Sequence, residues 1–132
     1  MKVELQVTPK ITITAESDTC EDAFTQLAEM SQVFGNGKCE KCKCEDLEFV
    51  RREVAGQGKK SYTYYELRCK NYECKAKLKF SKSDDGDFYP QRYQRTKDAD
   101  GKPTYVFDDD GRKIQAGKWG WVRWNKDTGQ EE

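Results

Sequence analysis

The chain has 132 residues, in which 24 Lys and Arg balance 24 Asp and Glu. Leu, Ile, Val and Phe together number only 21, so aliphatic burial alone leaves little margin over chain entropy and the fold calls for an additional staple. Six Cys are available for that role, and the absence of His excludes Ser-His-Asp hydrolysis, Cys-His nucleophilic catalysis and any His metal ligand.

Zero net charge and sixteen aromatics argue for a folded chain. No run of about 18 apolar residues occurs, and the first residues alternate apolar with polar, unlike a secretory signal. A cytoplasmic location is expected, where thiols stay reduced and closely paired Cys serve metals more often than disulfides. Charge is unevenly spread. Residues 1–37 carry 2 basic and 6 acidic groups, 38–82 carry 13 and 7, and 83–132 carry 9 and 11. These three stretches are taken as a strand-strand-helix segment, a basic middle module and an aromatic-rich β extension, in one compact unit.

In the first stretch, Val3, Leu5 and Val7 alternate with polar residues, and Ile11 and Ile13 do so after Pro9, which predicts a hairpin. A helix follows, with Asp18 as N-cap, Glu21 completing a capping box, an apolar face of Phe24, Leu27, Ala28, Ser31 and Phe34, and Gly35 at its end. Cys20, alone at the helix start, is expected to be a small buried residue. Gly35-Asn36-Gly37 lacks a P-loop continuation and leads into the next stretch.

In the middle stretch, alternation over 47–54, a turn at 55–58 and a return over 62–69 predict an antiparallel hairpin. Ala76, Leu78 and Phe80 then face one way on a further strand, and Lys75, Lys77 and Lys79 the other. Beyond Ser83, turns at 84–86, 100–103 and 110–111 separate short aromatic strands around 88–93, 105–107 and 119–124, before a loose polar tail. The runs Asp84–Asp87 and Asp108–Gly111 lack the further ligands of a Ca²⁺ loop and read as turns. The fold class expected is α+β, rich in antiparallel strands.

Cys39-Glu-Lys-Cys42 and Cys69-Lys-Asn-Tyr-Glu-Cys74 form two close pairs at the ends of predicted strands. Short loops of this kind direct two sulfurs at one ion, and the hairpin returns the second pair to the first. Over residues 38–82 this resembles a zinc ribbon, in which two knuckles jointly hold one structural Zn²⁺. The second spacing is longer than the usual one, and Cys44 offers a third sulfur that could replace Cys39 or Cys42. The resemblance extends to small accessory proteins of transcription and repair and to phage or mobile-element proteins.

Thirteen of the aromatics lie after residue 60, near the basic groups Arg51, Arg52, Lys59, Lys60, Lys70 and the Lys75, Lys77, Lys79 row. Cations neutralise phosphates while rings stack on unpaired bases, which suits single-stranded DNA. The residues expected to carry this are Arg51, Arg52, Lys75, Lys77 and Lys79 for phosphate, and Tyr62, Tyr64, Trp119 and Trp121 for stacking. On a continuous strand Trp119, Trp121 and Arg123 share one face and Val122 and Trp124 the other; the three Trp could instead plug the core. The helix, acidic throughout, suits no major groove. The function expected is non-catalytic nucleic-acid binding accessory to replication, recombination or transcription. The alternative is a protein-protein adaptor or inhibitor docking through the ribbon and Trp-rich strand, and subunits could pair through strand edges.

Overall fold

A computed structural model describes residues 1–35, 37–58 and 60–132; Asn36 and Lys59 lie outside the described residues. The architecture is α+β with antiparallel strands predominating. β1 (Lys2–Thr8) and β2 (Ile11–Glu16) form the N-terminal hairpin, with Leu5 opposite Ile13. Thr8 Oγ1 closes its turn, accepting from the amides of Lys10 and Ile11 at 3.2 and 3.1 Å.

The helix α1 (Cys20–Phe34) starts one residue later than the capping-box reading placed it. Thr19, extended at φ −132° and ψ 160°, is the N-cap, and its hydroxyl accepts from the Asp22 amide at 3.1 Å. Glu21 and Asp22 in the first turn then sit favourably at the positive end of the helix dipole. The buried stripe is also rotated from the expected face. Ala23 and Met30 are buried and Leu27, Val33 and Phe34 half-buried, whereas Phe24 is 76% exposed and Ala28 and Ser31 face solvent. Cys20 is exposed, not buried, because it opens the helix on its solvent side.

The main sheet runs β3 (Leu47–Ala55), β4 (Ser61–Cys69), β5 (Lys77–Lys82) and β6 (Phe88–Pro90) in that order. β3 and β4 pair over their full length, from Leu47 opposite Cys69 to Ala55 opposite Ser61. β5 pairs only with 65–68 of β4, so the far end of the hairpin projects as a two-stranded arm. This is why Val54, Tyr62 and Tyr64 are exposed. The outer edge of β5 is shared: β6 lies beside Phe80–Lys82, and β9 (Trp121–Val122) beside Lys77 and Leu78. The small strands β7 (Arg95–Lys97) and β8 (Pro103–Tyr105) pair with each other.

The tail expected to be loose instead pairs. β10 (Trp124–Asn125) and β11 (Gln130–Glu131) form a short ladder, and the Arg123 and Glu132 backbones exchange two hydrogen bonds. The three Asp-rich segments are turns, as read from sequence. Asp98 and Asp108 each accept two amide hydrogens of their own turn, which occupies those carboxylates locally.

One core joins the sheet to the cysteine loops: Leu47, Leu67, Leu78, Phe80 and Trp121 with Cys39, Cys69, Cys74 and Ala76. Ala76, Leu78 and Phe80 face it as predicted. Lys77 and Lys79 face the other way, but Lys75 precedes the strand, in a left-handed conformation at φ 57°. The continuous strand expected over 119–124 is broken. Trp119 (φ 53°) and Gly120 (φ 90°) form a two-residue turn closed by paired 3.0 Å bonds between Lys118 and Trp121. Trp119 therefore stays exposed while Trp121 turns fully into the core, with no access to a stacked base. Among the described residues no helix is long and apolar enough to cross a membrane.

Candidate metal centre and surrounding cationic surface

Two loops of similar construction meet beneath the sheet. In the first, the Cys39 amide donates to the Cys44 carbonyl at 2.9 Å and the Lys43 amide to the Cys39 carbonyl at 2.7 Å. In the second, the Cys69 amide bonds Ala76 at 2.9 Å, and the Cys74 and Lys75 amides reach the Asn71 carbonyl at 3.0 and 3.1 Å. The two extra residues of the second spacing are accommodated by Asn71, whose side chain accepts from the Glu73 amide at 3.1 Å. Each loop leaves its second Cys through a left-handed Lys, Lys43 at φ 65° and Lys75 at φ 57°.

These loops gather Cys39, Cys42, Cys69 and Cys74, whose sulfurs all lie within 4.8 Å of one another. Cys39 and Cys74 are 3.7 Å apart and Cys42 and Cys69 3.5 Å. Tetrahedral thiolates bound at about 2.3 Å require sulfur separations of about 3.8 Å, and a disulfide requires about 2.05 Å. The geometry thus fits a shared ion, and the four cysteines are placed to hold a metal. Cys44 stands apart from the four, its sulfur accepting from the Asp46 amide at 3.4 Å.

Burial pushes the Cys39 thiol up to about 11, although the Cys42 and Lys41 amides favour its thiolate. Burial also drives Cys69 upward. Cys42 feels the same desolvation, but the Cys44 amide and the Cys69 and Cys74 sulfurs bring it down to about 7. Four thiols this close deprotonate together only if a cation compensates them, which is what a metal supplies.

The cations expected to meet phosphate are largely engaged. Glu66, buried on the polar face of β4, lies 2.6 Å from Arg52, 3.5 Å from Arg68 and 3.5 Å from Lys77. Burial raises its pKa, yet the Arg52 bond, Lys77 and Arg68 hold the carboxyl below its ordinary range. Glu131 bridges Lys77 at 3.5 Å and Lys79 at 2.5 Å, and Arg51 pairs with Glu53 at 2.8 Å. Strand alternation marks a face without revealing which acids return to it, so Glu66 and Glu131 are not legible in sequence as partners of these cations. Arg52 also covers the Tyr64 ring at 4.7 Å, and Tyr62 is exposed on the same arm. Lys75 stands over the Tyr72 ring at 4.7 Å.

Tyr72, in the middle of the second loop, is 82% exposed, and Trp124 is 59% exposed. With Arg68, Lys70, Lys75 and Lys77 they line a cleft of about 480 Å³. Tyr72 lies between Cys69 and Cys74, and a loop that turns both sulfurs inward directs its middle side chains outward. Compared with protein-family models, with curated proteins and with solved structures, the chain gives no match.

Proposed function

We propose that the chain is a non-catalytic, cytoplasmic nucleic-acid-binding protein, accessory to replication, recombination or transcription. Its four cysteines hold one structural Zn²⁺, since a four-thiolate set with no open position suits zinc and leaves no site for water or substrate. Its ligand is single-stranded DNA. The observation that carries this reading is the cleft at the second cysteine loop, where the outward rings of Tyr72 and Trp124 stand beside Lys70 and Lys75. Neither lysine is in an ion pair among the described residues. Flat rings beside such cations suit unpaired bases on a phosphate chain, each stack contributing about 1–3 kcal/mol.

The reading shifts the contact surface from the Lys77 and Lys79 row to the loop beside it. The row's cations hold Glu66 and Glu131 and would have to exchange those partners for phosphate. Fluorescence titration of the metal-loaded protein with oligothymidylate and with a duplex, at two salt concentrations, tests it. Single strands should bind more tightly, quench Trp emission and weaken steeply with salt. Trp124→Ala or Tyr72→Ala should each reduce affinity by about fivefold or more. Absence of single-strand binding at low salt removes the reading.

A second reading, a protein-protein adaptor, is favoured by an apolar groove of about 430 Å³ between α1 and the main sheet. Val33, Phe34, Phe49 and Phe88 contribute to it, with Phe34 and Phe49 meeting edge to face at 5.2 Å. Such an adaptor would bind little oligonucleotide at any salt concentration.

A further inference from the structure

β7 and β8 bring almost no aliphatic side chains to their pairing, and a ladder of cations and rings takes the place of a core. The Arg95 guanidinium carbon is 5.4 Å from the Tyr89 ring centre and 5.6 Å from that of Tyr105. Lys113 Nζ is 4.1 Å from the Tyr105 ring and 5.5 Å from that of Tyr93. Tyr93 and Tyr105 meet edge to face, 6.2 Å between centres. Arg95 also donates to the Tyr89 hydroxyl at 3.0 Å, and Arg92, half-buried, donates to the Trp119 carbonyl.

Apart from Trp119, these residues and Pro90 line a cleft of about 190 Å³, whose lining has three basic residues and no acidic one. Glu40 acts on Arg92 from outside the lining, and neither Arg95 nor Lys113 is in an ion pair among the described residues. A ring face stabilises a cation by about 0.5–1 kcal/mol at exposed sites but leaves its formal charge in place. The like charges of Arg95 and Lys113 beside one small cleft repel, and an anion between them reverses the sign of that interaction. A guanidinium seated on a ring keeps N–H groups at its edge for the oxygens of an oxyanion. The volume falls below the roughly 300–1,000 Å³ of pockets for organic ligands.

We propose that this cleft is a phosphate-binding site, in which Arg92, Arg95 and Lys113 hold one phosphate group. The group is supplied either as a free phosphate or as part of a nucleic-acid backbone. Because its primary probe is inorganic phosphate, the proposal stands apart from the reading of the second cysteine loop.

The test is an NMR titration of the isotope-labelled, metal-loaded full chain with inorganic phosphate, ionic strength being held constant with chloride. Saturable shifts confined to residues 89–95 and 105–113 are expected, and Arg95→Gln with Lys113→Gln should weaken binding by about tenfold or more. Arg95→Lys, which keeps the charge and loses the fork, should weaken it a few fold. No saturable response in the wild-type chain overturns the proposal, whether or not the variants fold; so does an undiminished response in a folded double variant. Adding oligothymidylate then separates the sources: displacement of phosphate supports a nucleic-acid backbone, and its retention supports a free phosphate.

Discussion

The guanidinium of Arg123 reaches the sulfur of Cys74 across 3.3 Å, from a chain segment that lies 49 residues away in sequence. The Arg123 backbone is fixed by its two bonds to Glu132, so the cation is held beside the centre by the tail. Four thiolates around a divalent ion leave two net negative charges, and a guanidinium against one sulfur offsets part of them. Arg123→Ala should therefore lower metal affinity by about 10–100-fold, with Arg123→Lys intermediate. Competition with a chromogenic chelator measures this, and an unchanged affinity would show that the contact carries no energy.

Removing the metal should unfold the region that the cysteine loops join, because Cys39, Cys69 and Cys74 are part of the core itself. Binding to structural zinc sites is worth about 10–16 kcal/mol in small peptides, more than the stability of a typical domain. Chelator should collapse the melting transition, and Cys74→Ser or Cys42→Ser should do the same. Cys44→Ser and Cys20→Ser should retain the metal and melt close to the wild type. Elemental analysis and thermal unfolding check both halves.

Glu66 contributes a pH-dependent term whose sign follows from its lowered pKa. A carboxyl that ionises more readily when folded adds stability in full above its ordinary value of 4.5, and that stability is lost as pH falls through the lower folded value. Glu66→Gln leaves Arg52, Arg68 and Lys77 without their shared anion and should cost about 1–3 kcal/mol at neutral pH. Acid also protonates the thiolates, so the quantity to measure is the difference between the two proteins in denaturant unfolding. It should be constant above pH 4.5 and shrink below it; a difference independent of pH would show that the carboxylate charge is not responsible.

The turn at 118–121 can be tested at two adjacent positions. A Cβ on Gly120 would lie 2.7 Å from the Gln91 carbonyl oxygen and 2.8 Å from Leu78 Cδ1, at a φ of 90°. Gly120→Ala should destabilise by about 2–4 kcal/mol, combining backbone strain with overpacking. Trp121, whose buried indole N–H finds no partner among the described residues, should tolerate Phe far better than Ala, the latter costing about 3–5 kcal/mol. Chemical denaturation orders the three variants.

Elements whose causes are local are legible in the order of the amino acids alone. Alternation at Val3, Leu5 and Val7, at 47–54 and at Ala76, Leu78 and Phe80 specifies strands, because a residue's neighbours two positions away share its face. The spacings Cys39–Cys42 and Cys69–Cys74 specify two short ligand loops on the same grounds. Tertiary structure decided what depends on residues distant along the chain. It left Cys44 outside the four, returned Glu131 from the tail to Lys77 and Lys79, buried Glu66 among three cations, and set Arg123 against Cys74. Charge and aromaticity are visible in a sequence, but whether a cation faces an acid, a ring or solvent is set by which strands lie side by side. Gly120 belongs with the latter: alternation over 119–124 reads as one strand, and only the close approach of Gln91 and Leu78 explains why the chain must turn there.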